Sequence, residues 1–179
     1  IFQDYDKGII DNELIRKIVA KANANKIPVA VDPKKKNFSR YKNVTLFKPN
    51  LKELKEGLNT DIDVNDINSI KKATAQLKAL LNSNIVLITL SEHGVFVEYD
   101  NGNEKSFHII PSFVRSISDV SGAGDTVISL ASLCLACNID PEQMAFISNM
   151  AGGLVCEKVG VVPVNKEELL KEIILHKGL

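Results

Sequence analysis

SISDVSGAGDTVISLASLCLACNID, residues 116–140, decides how this chain is read. Gly122, Ala123 and Gly124 form a glycine-rich turn, Asp125 follows at once, and Thr126 to Cys137 read as an apolar helix. N–H groups at a helix start point outward without intrahelical partners, and the helix dipole adds positive charge, so such a turn suits an anion. A carboxylate placed there repels a bound phosphate unless it has chemistry of its own. Two readings are open. In one, the glycines make a tight turn and Asp125 caps the helix. In the other, the N–H groups of Gly122, Ala123 and Gly124 hold the oxygens of a phosphoryl group in transfer. Asp125 then takes the proton of an attacking hydroxyl, so that its target is an alcohol and not the phosphate. A Rossmann dinucleotide loop fits less well, because the third glycine is missing and an acid in the phosphate loop opposes a pyrophosphate.

Outward from this turn the text alternates between strand and helix. On the N-terminal side, "DNELIRKIVAKANANK" spaces Ile15, Ile18, Val19 and Ala22 along one helix face, with Asp11 or Asn12 as cap. "IPVAVD" and "NVTLFK" read as short strands ending at Asp32 and near Lys48, and "NLKELKEG" as a short helix stopped by Gly57. A helix from Asp66 to Leu81 sets Ile67, Ile70, Ala73, Leu77 and Leu80 on one face. "NIVLITL" is an apolar strand of the kind buried on both sides. "GVFVEYD" and "EKSFHIIP", joined by Asn101, Gly102 and Asn103, predict an antiparallel hairpin. On the C-terminal side, Asp140 and Pro141 open a helix towards Lys158, and a last helix starts near Asn165 with Glu167 and Glu168 in its first turn. The fold class is α/β: a mostly parallel sheet with helices on both faces and a local antiparallel hairpin. Ligand-bearing loops are expected at the carboxyl ends of the strands. Asp32, Asn50, Glu53 and Asp125 all fall just after predicted strands or at helix starts, which gathers them along one edge of such a sheet.

Composition bounds the function. The chain has 179 residues, 45% of them apolar, enough for one soluble globular domain with a sizeable core. Its 22 basic residues balance 22 acidic ones, which argues against a nucleic-acid surface, and the one basic run, Lys34–Lys36, reads as a solvated loop. No apolar stretch approaches the roughly 20 residues of a membrane span, and the start lacks a basic region leading into an apolar one. Neither anchor nor signal peptide is expected, and the cytoplasm is the default location. Three cysteines are too few for a disulfide scaffold; Cys134 and Cys137, inside a helix with no histidine or second pair nearby, read as small buried apolar residues. Only Ile1 and Phe2 precede the first acidic loop, so the opening strand looks cut short and the chain reads as a piece of a longer protein.

"DVSGAGDTVISLASL" resembles the D-T-x-G-A-G-D signature of the ribokinase-like (PfkB-type) carbohydrate kinases, with Val120 in place of the usual threonine. The resemblance implies ATP and Mg2+ as cofactors. It makes the backbone of Gly122, Ala123 and Gly124 the anion hole and Asp125 the catalytic base. "KPNLKEL" supplies the family's N-x-x-E element as Asn50 and Glu53, which organises magnesium and the nucleotide phosphates largely through water. Taken alone, that pair reads equally as helix N-terminal residues. "ITLSEHGVFV" resembles the strand, turn and strand over the nucleotide, which implies ATP contacts from Thr89, Ser91 and Gly94 and leaves His93 a solvated turn residue. "FISNMAGGLVCEKVGV" resembles the helix at the adenine pocket, with Asn149 and Gly152 nearest the base; close helix packing is the alternative use of such residues.

Within the family, "DYDKG" and "VAVDPKKKNFSRYKNVTLFKPNLKEL" are most similar to the kinase domain of D-glycero-D-manno-heptose 7-phosphate kinases, which supply ADP-heptose for lipopolysaccharide. That similarity implies a phosphorylated sugar as substrate and makes Lys7 and Lys34 candidates for sugar or phosphate contacts, although either reads equally as an exposed loop lysine. It also implies that residues 1–179 are the C-terminal, nucleotide-binding portion of one kinase domain, lacking the first strands and the sugar-covering lid. Such a portion is expected not to phosphorylate a sugar by itself, and its open sheet edge favours association, for instance as a homodimer.

Overall fold

A computed structural model of the chain describes residues 1–102, 104–113 and 116–177. Its centre is a six-stranded sheet of β1 (Phe2–Gln3), β2 (Ala30–Asp32), β3 (Leu46–Phe47), β4 (Ile85–Thr89), β5 (Val95–Asn101) and β6 (Glu104–Ile110), arranged in chain order. The first four strands are parallel, with Phe2 opposite Val31, Val31 opposite Phe47 and Phe47 opposite Val86. The stretch from β4 to β6 is the antiparallel part of a mixed sheet. Asn103, which the sequence places in the β5–β6 turn, lies outside the described residues.

Parallel neighbours require crossovers: α1 (Asn12–Ala24) lies between β1 and β2, a 3₁₀ helix (Lys35–Arg40) between β2 and β3, and both α2 (Leu51–Leu58) and α3 (Ile67–Leu81) between β3 and β4. Asp11 caps α1 and Asp66 caps α3 through side-chain oxygens that accept N–H groups of the first turn. Alternation along the strands sends Val31, Phe47, Val86, Ile88 and Phe96 to the core that Ile15, Val19, Leu54, Ile70 and Leu77 complete from the helices. Leu46 and Leu87, on the opposite face, are equally buried, in keeping with a parallel sheet covered on both sides.

In α1 and α2, two details differ from the sequence reading. Ile18 is exposed, because the inward stripe of α1 is only as wide as Ile15 and Val19, with Ala22 packed at its margin. Gly57 does not stop its helix; α2 runs one residue further and ends at Asn59, which takes the left-handed conformation at φ 50°. The glycine serves packing instead, since a Cβ there would lie 2.4 Å from the Phe38 ring.

The described residues divide into two compact units, one of Ile1–Leu90 with Phe96–His108, the other of Ser91–Val95 with Ile109–Leu179. The second is built on α4 (Ala123–Ala136), α5 (Pro141–Cys156) and α6 (Lys166–Lys177). Its core holds Met150, Ala151, Leu154 and Leu169, with Phe113 edge-on to Phe146 at 5.2 Å. Cys134 is buried as the sequence implies, whereas Cys137 stands exposed at the end of α4, where the helix no longer shields it. No helix among the described residues is long and apolar enough to cross a membrane.

Candidate active site

In the first unit the carboxyl ends of β2, β3 and β4 gather a cluster of alternating charge. Asp32 closes β2, and its Oδ1 lies 3.1 Å from the ammonium of Lys48, which follows β3. Both side chains are nearly inaccessible. Burial pushes the Asp32 carboxyl above its ordinary range, against the pull of Lys48. Two residues past Lys48, Asn50 caps α2: its side-chain oxygen accepts the Glu53 N–H at 2.8 Å, while Glu53 Oε2 accepts the Asn50 N–H at 2.9 Å. This reciprocal capping box satisfies two donors that the helix start would otherwise leave open. The other Glu53 oxygen, Oε1, is paired with the ammonium of Lys34. Burial alone would lower the Lys34 pKa, but the carboxylates of Glu53 and Asp32 raise it above the ordinary value. Thr89, at the end of β4, joins Asn50 in a parallel bridge and donates its N–H to Pro49 O at 3.2 Å.

The structure thus brings Asp32, Asn50, Glu53, Lys34 and Thr89 together, and the solvated reading of Lys34 gives way to a paired one. Lys7 does not join them; it is exposed on the loop after β1 and, among the described residues, has no hydrogen bond or ion pair. That loop is nevertheless anchored. The buried Asp4 carboxylate accepts from Tyr41 Oη at 2.7 Å, Asn37 Nδ2 at 2.9 Å and the Asp6 N–H at 2.8 Å. Burial opposes charge on Asp4, but these hydrogen bonds outweigh it and hold the carboxyl below its ordinary range. Asp4, Asn37 and Tyr41 escape a sequence reading, because a contact across 33 and 37 residues has no local signal.

In the second unit the helix after the glycine turn begins at Ala123, three residues before its expected start, so Gly124 and Asp125 lie inside its first turn. Gly122 is the N-cap at φ 79°, a left-handed conformation suited to glycine, and an added Cβ would stand 3.1 Å from Val161. Asp125 is therefore not the cap; it stands at the third helical position and is exposed. The Ala123 N–H is used within the turn, donating to Val120 O at 3.3 Å. Among the described residues, the N–H groups of Gly122 and Gly124 have no hydrogen-bond partner. Of the three N–H groups that the sequence offers to an anion, two are thus open among the described residues.

Asp119 sets this loop. Its Oδ1 accepts the Ser121 N–H at 2.9 Å and its Oδ2 the Gly160 N–H at 3.1 Å, while the Ser118 and Asp119 N–H groups donate to Cys156 O. The Ser121 and Gly160 hydrogen bonds hold the Asp119 carboxyl below its ordinary range. The signal for it was present, since Asp119 is the first acid of the signature.

Of the remaining candidates in this unit, Ser91 is exposed at φ 53° and accepts the Gly94 N–H at 3.1 Å. Gly94, at φ 86°, lies where a Cβ would be 2.1 Å from Ile110 O. His93 is exposed, as expected of a turn residue. Asn149 donates to Pro111 O at 2.8 Å, and Gly152 lets α5 approach α4, since its Cβ would meet Val127 at 2.7 Å. Packing thus accounts for Gly94 and Gly152 as they stand.

Comparison with known proteins fits this arrangement. The model of the pfkB family of carbohydrate kinases matches residues 6–168. The protein named bifunctional protein HldE in Koribacter versatilis is 38% identical over 174 residues, covering 97% of this chain and 34% of its own length. Its namesake in Aliarcobacter butzleri is 36% identical, covering 99% of this chain and 36% of its own length. The chain thus spans about a third of the length of these curated relatives. Among solved structures, phosphofructokinase-2 from Escherichia coli in complex with substrates and products superposes with a TM-score of 0.79 at 19% identity, over 96% of this chain and 54% of that one. Arabidopsis thaliana ribokinase complexed with ribose and ATP gives 0.73 at 18% identity, over 90% of this chain and 52% of that one. The fold is ribokinase-like.

Proposed function

The chain belongs to the pfkB family of carbohydrate kinases, and on that premise we propose that it is the nucleotide-binding, C-terminal portion of an ATP-dependent sugar kinase. The proposed acceptor is the anomeric hydroxyl of D-glycero-β-D-manno-heptose 7-phosphate. The observation that carries the transfer chemistry is the start of α4, where backbone donors without a partner among the described residues and an exposed carboxylate share one helical turn. The Gly122 and Gly124 N–H groups hold the oxygens of the transferring phosphoryl group, with Asp125 as general base. The acceptor's proton passes to the Asp125 carboxylate, its oxygen forms the new bond to the γ-phosphorus, and the bond to the bridging oxygen breaks to release ADP.

Asn50 and Glu53 are assigned to magnesium and the nucleotide phosphates, with Thr89, Ser91, Gly94, Asn149 and Gly152 around the nucleotide. An ion held mainly through water suits Glu53, whose two oxygens already have partners in the Asn50 N–H and the Lys34 ammonium. When bound, magnesium would neutralise charge on the phosphates. Lys7 is assigned to the acceptor's own phosphate, being the cation of the "DYDKG" loop that has no partner among the described residues. The resemblance of that loop and of "DPKKKNF" to heptose phosphate kinases, together with the HldE relatives, supports the choice of sugar.

The deciding experiment assays the full-length protein with ATP against the heptose 7-phosphate, an unphosphorylated hexose, fructose 6-phosphate and a nucleoside. Formation of the 1,7-bisphosphate in preference to the other products is the expected result. Preference for another acceptor overturns the heptose assignment and leaves the kinase; no transfer to any acceptor overturns both.

A further inference from the structure

Two lysine–carboxylate pairs stand at the ends of neighbouring parallel strands, and they differ in one respect. Lys48 with Asp32 is sealed, the side chains being 3% and 9% exposed. In the other pair Glu53 is 10% exposed but Lys34 is 41% exposed, so its ammonium can leave for solvent while the carboxylate stays. Lys34 lies just ahead of a short 3₁₀ helix, Lys35–Arg40, on extended backbone at φ −122°. Lys35 and Lys36, the first two residues of this helix, are exposed, and Lys36 reaches Asp6 at 3.2 Å. Lys34 is the member of the run that turns to Glu53.

Glu53 has a fixed and an open side. Oε2 accepts the Asn50 N–H in the capping box, and Oε1, the oxygen outside that box, is the one Lys34 holds. The Asp32 carboxylate also acts on both Lys34 and Glu53, which ties the ammonium to the cluster as a whole. A carboxylate neutralised by an ammonium at contact attracts a second cation less, since the two positive charges repel across a few ångströms.

We infer that Lys34 competes with magnesium for Glu53: it is a positioning residue that holds the carboxylate oxygen outside the capping box, so that its removal strengthens magnesium-dependent nucleotide binding. This rests on the assignment of Glu53 to magnesium made above. A lysine serving the nucleotide phosphates directly has the opposite signature, because its loss weakens nucleotide binding at every magnesium concentration.

The test uses the full-length protein and binding alone. Affinity for a non-hydrolysable ATP analogue is measured by titration calorimetry across a magnesium series, for the wild type, Lys34→Met, Glu53→Gln and the double variant. Lys34→Met is expected to lower the magnesium midpoint about three- to fivefold, the range of a partly exposed ion pair. Lys34→Arg, which keeps the charge, stays at the wild-type midpoint. In the Glu53→Gln background the methionine substitution should have no further effect, since the oxygen under competition has lost its charge. Lys34→Gln repeats the measurement if methionine disturbs the fold. A midpoint unchanged or raised in Lys34→Met, or lowered equally in the Glu53→Gln background, overturns the inference. Glu53→Gln with a wild-type midpoint removes the magnesium assignment beneath it. A protein with full heptose kinase turnover and an unmoved midpoint in Lys34→Met keeps its function and loses this inference alone.

Discussion

Glu53 and Asp125 stand at the same place in their helices, three residues after the N-cap, yet their surroundings are opposite. At the start of α2 the cap is an asparagine whose side chain bonds the Glu53 N–H, and the glutamate returns the bond. At the start of α4 the cap is Gly122, which offers no side chain, and the N–H groups of Gly122 and Gly124 are left open among the described residues. The first helix start is closed by its own residues; the second exposes the donors an anion needs. A glycine in place of a side-chain cap forgoes about a few tenths of a kcal/mol, so the omission at Gly122 is a small local cost, consistent with a ligand completing the turn.

The largest effect that would break this contrast is expected at Asp125. Asp125→Asn keeps size and hydrogen bonding but cannot take a proton, so turnover by the full-length enzyme should fall by about 10²–10⁴ with nucleotide affinity nearly intact. Steady-state rates beside a binding titration decide it. Near-normal turnover would make Asp125 no more than a first-turn acid favourable to the helix dipole, and α4 would then differ from α2 only in its cap.

The next effect concerns the acceptor. Lys7→Met removes a charge-assisted hydrogen bond to a phosphate, typically about 1.5–3 kcal/mol, which corresponds to roughly ten- to a hundredfold weaker use of the phosphorylated sugar. The KM for ATP should stay within twofold, on the order of experimental scatter. Equal losses for ATP and sugar would mean that the Asp4-anchored loop supports the nucleotide side as well.

Glu53→Gln sharpens the contrast by separating charge from cap. Glutamine can still accept the Asn50 N–H, so the helix start should persist, whereas the magnesium midpoint should rise by about two- to fivefold as one partly screened charge is lost. A collapse of stability with no change in magnesium dependence would make Glu53 purely a capping residue.

How far this contrast was legible depends on the range of each interaction. The alternation of strands and helices, the cap at Asp11, the helix start at Asp66 and the motif itself are local, and all could be read along the chain. The start of α4 was misplaced by three residues because two glycines in a row of four read as loop, although Gly124 here lies within a helical turn. Gly57 was misread for the same reason in reverse: it resembles a helix stop, but the Phe38 ring explains it. Asn50 and Glu53 were visible as a spacing, whereas the pairing of Glu53 with Lys34 spans 19 residues and needs the sheet to bring the ends of β2 and β3 together. That distance kept Lys34 a loop lysine in the sequence. The Asp4, Asn37 and Tyr41 network was hidden in the same way, since each member is an unremarkable polar residue until the fold buries it.

The smallest effect makes the two helix starts alike. Asn50→Ala removes the side-chain acceptor for the Glu53 N–H and should lower the stability of the ligand-free full-length protein by about 1 kcal/mol, read from the urea midpoint at constant slope. Asn50→Gly gives α2 the cap residue of α4, on an extended backbone where Gly122 is left-handed. Its cost should be only a few tenths of a kcal/mol, because glycine lets water reach the freed N–H. The backbone at Asn50 is extended, at φ −85° and ψ 171°, which glycine adopts without strain, so the difference between the two variants isolates the cap from the conformation. If both variants cost the same, the asparagine side chain has a role in the free protein beyond capping, and the closed start of α2 cannot serve as the reference against which the open start of α4 is judged.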